Sequence, residues 1–105
     1  PALLRHKMAI LDRHCEEIGR NPAEIQRSAI ALLALSDDPA FVERVRQSGR
    51  PVLGGTAEEV RATVREYIDA GVHELVVPDF TLGRTLDARI AAMDRFREEV
   101  IERFR

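Results

Sequence analysis

A capped helix that leads into a short apolar strand is the feature that most constrains how this chain folds. Thr56 and Glu59 have the spacing of a capping box, in which each side chain accepts the backbone amide of the other residue. The apolar stripe of the predicted helix 56–70 is Val60, Val64, Tyr67 and Ile68, and Gly71 stands where such helices end. The apolar run 74–78 then predicts a buried strand. A helix joined tightly to a strand is half of a parallel crossover, so we expect a parallel α/β fold.

Composition narrows the functional classes. The 105 residues suffice for one small domain, and 45% hydrophobic and 32% charged residues are typical of a soluble protein. Sixteen basic and eighteen acidic residues give a net charge of −2, so we expect neither a nucleic acid partner nor a membrane partner. Cys15 is the only cysteine, and no signal peptide or membrane-spanning run is present in the sequence, which favours a cytoplasmic location.

The rest of the chain predicts further helices and one more strand. Apolar residues at helical spacing predict a first helix over residues 2–18, and Asn21-Pro22 starts a short turn. The apolar run 28–35 predicts a strand buried on both faces. Asp38-Pro39 opens a short helix over 39–48. A final helix runs from about Thr85 to residue 104, with one apolar face made of Leu86, Ile90, Met93, Phe96, Val100 and Phe104.

The predicted elements do not make a complete sheet. Two parallel strands would each leave an unpaired edge, and three long helices would have too little sheet to cover. We therefore expect residues 1–105 to be a single partial domain, completed by other residues of a larger protein or by further copies of the chain, since a homo-oligomer would also supply strands.

Three segments carry a resemblance to a known family: GRNPAEI (19–25), GGTAEEV (54–60) and YIDAGVHELVVPDF (67–80). In this order and spacing they resemble the closing third of the luciferase-like monooxygenase superfamily, and most of all its actinobacterial-type oxidoreductases that use the deazaflavin coenzyme. The resemblance covers nearly the whole chain.

The resemblance implies a C-terminal fragment of a (β/α)8 TIM barrel, from roughly the sixth helix to the eighth helix. Residues 28–35 and 73–78 would be the seventh and eighth strands, 39–48 part of an insertion, and 56–70 and 86–104 the seventh and eighth helices. The implied cofactor is the deazaflavin coenzyme or FMN, with a small organic substrate in the full-length protein. Much of that site would lie upstream, so we expect the fragment alone to be inactive.

Candidate site residues follow the strands, because a parallel barrel carries its chemistry at the carboxyl ends of strands. Gly54, Gly55 and Thr56 offer amides at a helix N-terminus to a cofactor or substrate anion, although helix capping alone also explains them. On the substrate side, the candidates are Asp79 and Phe80. The alternative interpretation is that Asp79 caps the turn and that Phe80 is a packing residue.

Arg84, the third substrate-side candidate, can pair with an acidic substrate or simply be solvated.

No catalytic residue is assigned, since no triad, carboxylate pair or metal-ligand set is evident. His6, His14 and Cys15 do not converge at the spacing that zinc requires. The competing hypothesis is a stand-alone, non-catalytic α/β module that oligomerises through its exposed strand edges.

Overall fold

One central segment, residues 28–35, pairs with two different strands in succession. The computed structural model describes residues 2–79 and 81–104. Strand β1 (Ser28–Ile30) pairs in parallel with β4 (Glu74–Val76), and strand β2 (Leu32–Leu35) pairs in parallel with β3 (Val52–Gly55). The change of partner falls at Ala31, whose amide donates to the Val76 carbonyl at 3.1 Å. The predicted parallel pairing of these two segments is confirmed for residues 28–30 and 74–76. The prediction that both strands are buried is wrong for this pair, because no residue of β1 or β4 is fully buried.

Strand β3 corrects the sequence prediction, which placed residues 52–55 in a loop and counted two strands. The segment contains Gly54 and Gly55, and glycine is depleted in strands because it lacks a side chain to pack. A side chain would not fit at this position, since a Cβ at Gly54 would lie 2.8 Å from Cγ1 of Val42. Close packing of a neighbouring helix therefore explains a glycine that the sequence pattern alone assigns to a loop.

The structure has the three long helices and one short helix that the sequence predicts. They are α1 (Ala2–Glu17), α2 (Pro39–Arg46), α3 (Ala57–Asp69) and α4 (Leu86–Glu99), with single turns of 3-10 helix at Pro22–Glu24 and Ile101–Phe104. The last helix is shorter than predicted because Val100 leaves helical geometry, with φ −120° and ψ −64°. The Arg61 side chain donates to the Glu99 carbonyl at 2.7 Å and so satisfies the end of α4.

Local chemistry sets most helix ends as predicted. Thr56 and Glu59 form both hydrogen bonds of the capping box. Asp38 caps α2 by accepting the Ala40 amide at 3.0 Å, and Thr85 caps α4 by accepting the Ala88 amide at 3.1 Å. Gly71 follows α3 with φ 96°, a conformation that glycine adopts readily.

Most of the core lies on one face of the strands. Leu53 and Leu33 are register partners and are almost fully buried, and helices α3 and α4 contribute to the same cluster. Leu4 of α1 packs against it from the side. The buried members of this cluster are Ala31, Leu33, Leu53, Val60, Val64, Tyr67 and Val100.

The opposite face is covered only in part. Side chains alternate between the faces of a strand, and Gly54, next to Leu53, faces Val42 of α2. Helix α2 thus covers the β2–β3 pair on the face opposite to α3. No helix among the described residues covers the β1–β4 pair in this way, and its register partners Ile30 and Val76 are 61% and 39% exposed.

The molecule exposes more surface than its mass predicts. Its accessible surface is 7184 Å², whereas a compact protein of 11.8 kDa exposes about 5,900 Å². The radius of gyration is 15.5 Å against about 13 Å for a compact chain of this length. Much of the excess is apolar, because Leu86, Ile90 and Met93 of the predicted α4 stripe are also exposed.

Tyr67 makes the stability of this core depend on alkaline pH. Burial, and secondarily the charge of Glu66, raise the pKa of the Tyr67 hydroxyl above its ordinary value of 10.0. The unfolded chain therefore releases this proton at a lower pH than the folded chain, so the free energy of unfolding falls as pH rises above about 10. We expect urea unfolding to show a steeper alkaline loss in the wild type than in Tyr67→Phe. Parallel curves for the two proteins would contradict this assignment.

No helix within the described residues has both the length and the apolar character needed to cross a membrane.

Candidate functional site

The carboxyl ends of β2 and β3 lie side by side and bring together two of the predicted loop segments. The Ser36 amide donates to the Gly55 carbonyl at 2.9 Å. The Ser36 hydroxyl in turn accepts the Asp38 amide at 3.0 Å, which holds the loop after β2 in the conformation that starts α2. Residues 36–38 and 54–56 therefore form one edge, as expected for parallel strands.

Gly54, Gly55 and Thr56 lie at this edge, but their surroundings are already occupied. The Thr56 amide donates to Oε1 of Glu59 at 3.2 Å. A Cβ at Gly55, which has φ 114°, would lie 2.8 Å from the Glu59 carboxyl carbon. The Glu59 carboxylate thus takes the position at the start of α3 that an external anion would use.

The loop after β4 reaches the same edge from the other side. Thr81 donates its hydroxyl proton to the Leu33 carbonyl at 2.8 Å, and Arg95 of α4 donates to the Leu35 carbonyl at 3.4 Å. These carbonyls point to the side of the central segment that β4 no longer covers. Two side chains therefore replace strand pairing along the last residues of β2.

The predicted substrate-side residues have different environments. Asp79 is exposed and lies 3.6 Å from the Arg89 guanidinium, which also donates to the Gly83 carbonyl at 3.0 Å. Arg84 is exposed. Phe80 lies outside the described residues. Arg89 thus links Asp79 and Gly83 to the first turn of α4.

An open groove of about 260 Å³ lies between β2, α2 and α4 at this edge. Apolar side chains form most of its wall, and the Arg95 guanidinium and the Thr81 hydroxyl are its polar groups. Arg95 also bonds Glu99 at 2.6 Å, so the guanidinium is fixed in place. The lining residues are Leu33, Leu35, Phe41, Thr81, Leu82, Ala91, Ala92 and Arg95.

Sequence reasoning missed Arg95, Thr81 and Phe41 as members of this edge. Phe41 and Arg95 lie on helices whose orientation depends on long-range packing, and neither belongs to a recognisable motif. Of the three, Thr81 was the easiest to predict from the sequence, since it directly follows two predicted candidates, Asp79 and Phe80.

The arrangement suits binding better than acid–base chemistry by the chain itself. An apolar wall with few polar groups is typical of a ligand-binding pocket. The Arg95 guanidinium is itself bonded to Glu99 and to the Leu35 carbonyl. Within residues 2–79 and 81–104, no three His, Cys, Asp or Glu side chains meet to hold a metal ion. Cys15 is buried in α1, and exposed His14 lies 3.5 Å from Glu17, both remote in sequence from this edge.

No protein-family model matches the chain. No curated protein sequence matches it either.

Proposed function

We propose that this chain is the C-terminal segment of a flavin- or deazaflavin-dependent oxidoreductase of the luciferase-like monooxygenase superfamily. In this proposal the chain supplies the last strands and helices of a (β/α)8 barrel and one wall of its site. The bound flavin or deazaflavin would supply the redox chemistry, and the chain would position cofactor and substrate. The segment alone is inactive.

The observation that carries the proposal is the uneven covering of the parallel strands. Helices α1, α3 and α4 all contribute to the core on one face, whereas Ile30 and Val76 are exposed on the other face. Within the described residues, no strand pairs with the outer edges of β3 and β4. At the β1–β4 pair, helices on one face and exposed apolar side chains on the other are what one side of a parallel barrel presents, and the three resembling segments agree with that placement. The β2–β3 pair does not add to this support, because α2 covers its inner face.

The cofactor assignment at Gly54, Gly55 and Thr56 meets an obstacle in this chain. A phosphate at the Thr56 amide would lie against the Glu59 carboxylate, which now accepts that amide at 3.2 Å. These residues therefore fit a cofactor phosphate only if Glu59 turns aside when the remainder of the barrel is present. Asp79, Phe80 and Arg84 remain the proposed substrate-side residues.

The decisive experiment starts from the coding sequence upstream of Pro1. We expect it to encode further strand–helix units in the same reading frame. The longer protein should bind FMN or the deazaflavin coenzyme at micromolar concentration, as measured by cofactor fluorescence. The 105-residue chain, titrated in parallel, should give no saturable change. Micromolar binding by the 105-residue chain would contradict the inactive-segment proposal.

A second candidate is favoured by the excess exposed surface. A stand-alone, non-catalytic module could cover its strand edges and apolar faces by assembling with further copies of itself. An upstream stop codon, together with a stable oligomer of the 105-residue chain by analytical ultracentrifugation, would select this candidate. A monomeric 105-residue chain together with a long upstream reading frame would exclude it.

A further inference from the structure

His73 makes an unusual pair of contacts where β4 begins. Its backbone amide donates to the Arg27 carbonyl at 2.8 Å, and its ring nitrogen Nδ1 accepts the Arg27 amide at 2.9 Å. Two hydrogen bonds thus join the same two residues in opposite directions, directly before the first register pair, Ser28 and Glu74.

The second of these bonds fixes the tautomer of the imidazole ring. A ring nitrogen that accepts a hydrogen bond carries no proton, so the proton of neutral His73 is on Nε2. Acid can then add a proton only at Nδ1, the atom that accepts the Arg27 amide. A protonated ring would present one N–H group to another, and the contact would be lost.

From this geometry we infer that His73 is an acid-sensitive clamp on the β1–β4 pair, whose pairing loosens when the imidazole is protonated. The inference does not depend on the proposed function. Its effect is concentrated on a short element, because β1 and β4 share only three register pairs.

Other charged or titratable groups around the ring come from each neighbouring element. Arg27 extends its guanidinium to Asp12 of α1 and to the Pro22 carbonyl. Glu74 is the next residue along β4, and Tyr67 of α3 lines the same small cleft as His73. None of them replaces Nδ1 as the acceptor of the Arg27 amide, so the bond depends on the ring alone.

The test uses a variant that keeps the acceptor and removes the titration. In His73→Asn, the side-chain oxygen takes the place of Nδ1, accepts an amide and does not ionise between about pH 5 and 8. We expect the folded-to-unfolded ratio to fall about five-fold more in the wild type than in His73→Asn over that range, the effect of one hydrogen bond. The two proteins differ only at residue 73, so contributions from the rest of the chain cancel from the comparison.

Two further measurements make the result unambiguous. Nitrogen chemical shifts of the imidazole should show the Nε2–H tautomer at about pH 8. The protection factor of the Arg27 amide against hydrogen exchange should fall on acidification in the wild type and stay constant in His73→Asn. An Nδ1–H tautomer, or the same acid dependence in both proteins, would overturn the inference.

Discussion

Leu53→Ala is expected to lower the free energy of unfolding by about 2–5 kcal/mol, the usual cost of truncating a buried leucine. Leu53 is fully buried and faces its register partner Leu33 at the centre of the core. Because small domains are stable by only about 5–15 kcal/mol, this single change removes a large share of the total. Urea denaturation followed by circular dichroism measures the loss.

Leu86→Ala is the matched control for that truncation. Leu86 lies on α4 and is 73% exposed, so the same chemical change should alter stability by about 0.5 kcal/mol or less. Equal losses in the two variants would mean that β3 does not lie in the core.

Gly55→Ala is expected to cost about 2–4 kcal/mol, for two reasons that act together. Gly55 has φ 114°, which a residue with a Cβ adopts only with strain, and the added Cβ would lie 2.8 Å from the Glu59 carboxyl carbon. Glu59 must then move and release the Thr56 amide, so the helix loses its capping box as well. Thermal and urea unfolding of the purified variant give the size of the loss.

Gly49→Ala separates the two contributions. Gly49 also has a positive φ, 77°, but a Cβ added there would meet no atom within 4 Å beyond its chain neighbours, so only the backbone cost of about 1–2 kcal/mol should remain. Adding Glu59→Ala to Gly55→Ala should cost little more, because the cap is already broken. If Gly49→Ala proves as costly as Gly55→Ala, contact with Glu59 contributes nothing.

The helices could be predicted from sequence because their signals are local. The Thr56–Glu59 box, the Asp38-Pro39 start and the glycine after α3 act within a few residues, and the structure has all three. The end of α4 was predicted too far along, since the apolar stripe continues through Val100 and Phe104. A contact from Arg61, a residue of another helix, accompanies the actual end at Glu99.

Strand β3 and the residues around the groove could not be predicted, because both depend on long-range packing. Gly54 suits this strand because Val42 of α2 occupies the space that a side chain at position 54 would need. Likewise, Arg95 and Thr81 reach the last carbonyls of β2 only because β4 stops short of them. Residues 36–38 and 54–56 share an edge because β2 and β3 are parallel, so this feature too depends on the strand that the sequence pattern missed.

The change of strand partner at Ala31 also has a consequence for the order of assembly. The β2–β3 pair closes a loop of about 20 residues, whereas the Arg27–His73 contact beside the β1–β4 pair joins residues 46 positions apart. The longer closure costs about 0.7 kcal/mol more in chain entropy and needs all of α3 to be synthesised first. Residues 32–55 can therefore fold first as a local unit. The carboxyl-terminal third docks afterwards, and its strand β4 pairs with β1, which the neighbouring strand β2 already holds in place.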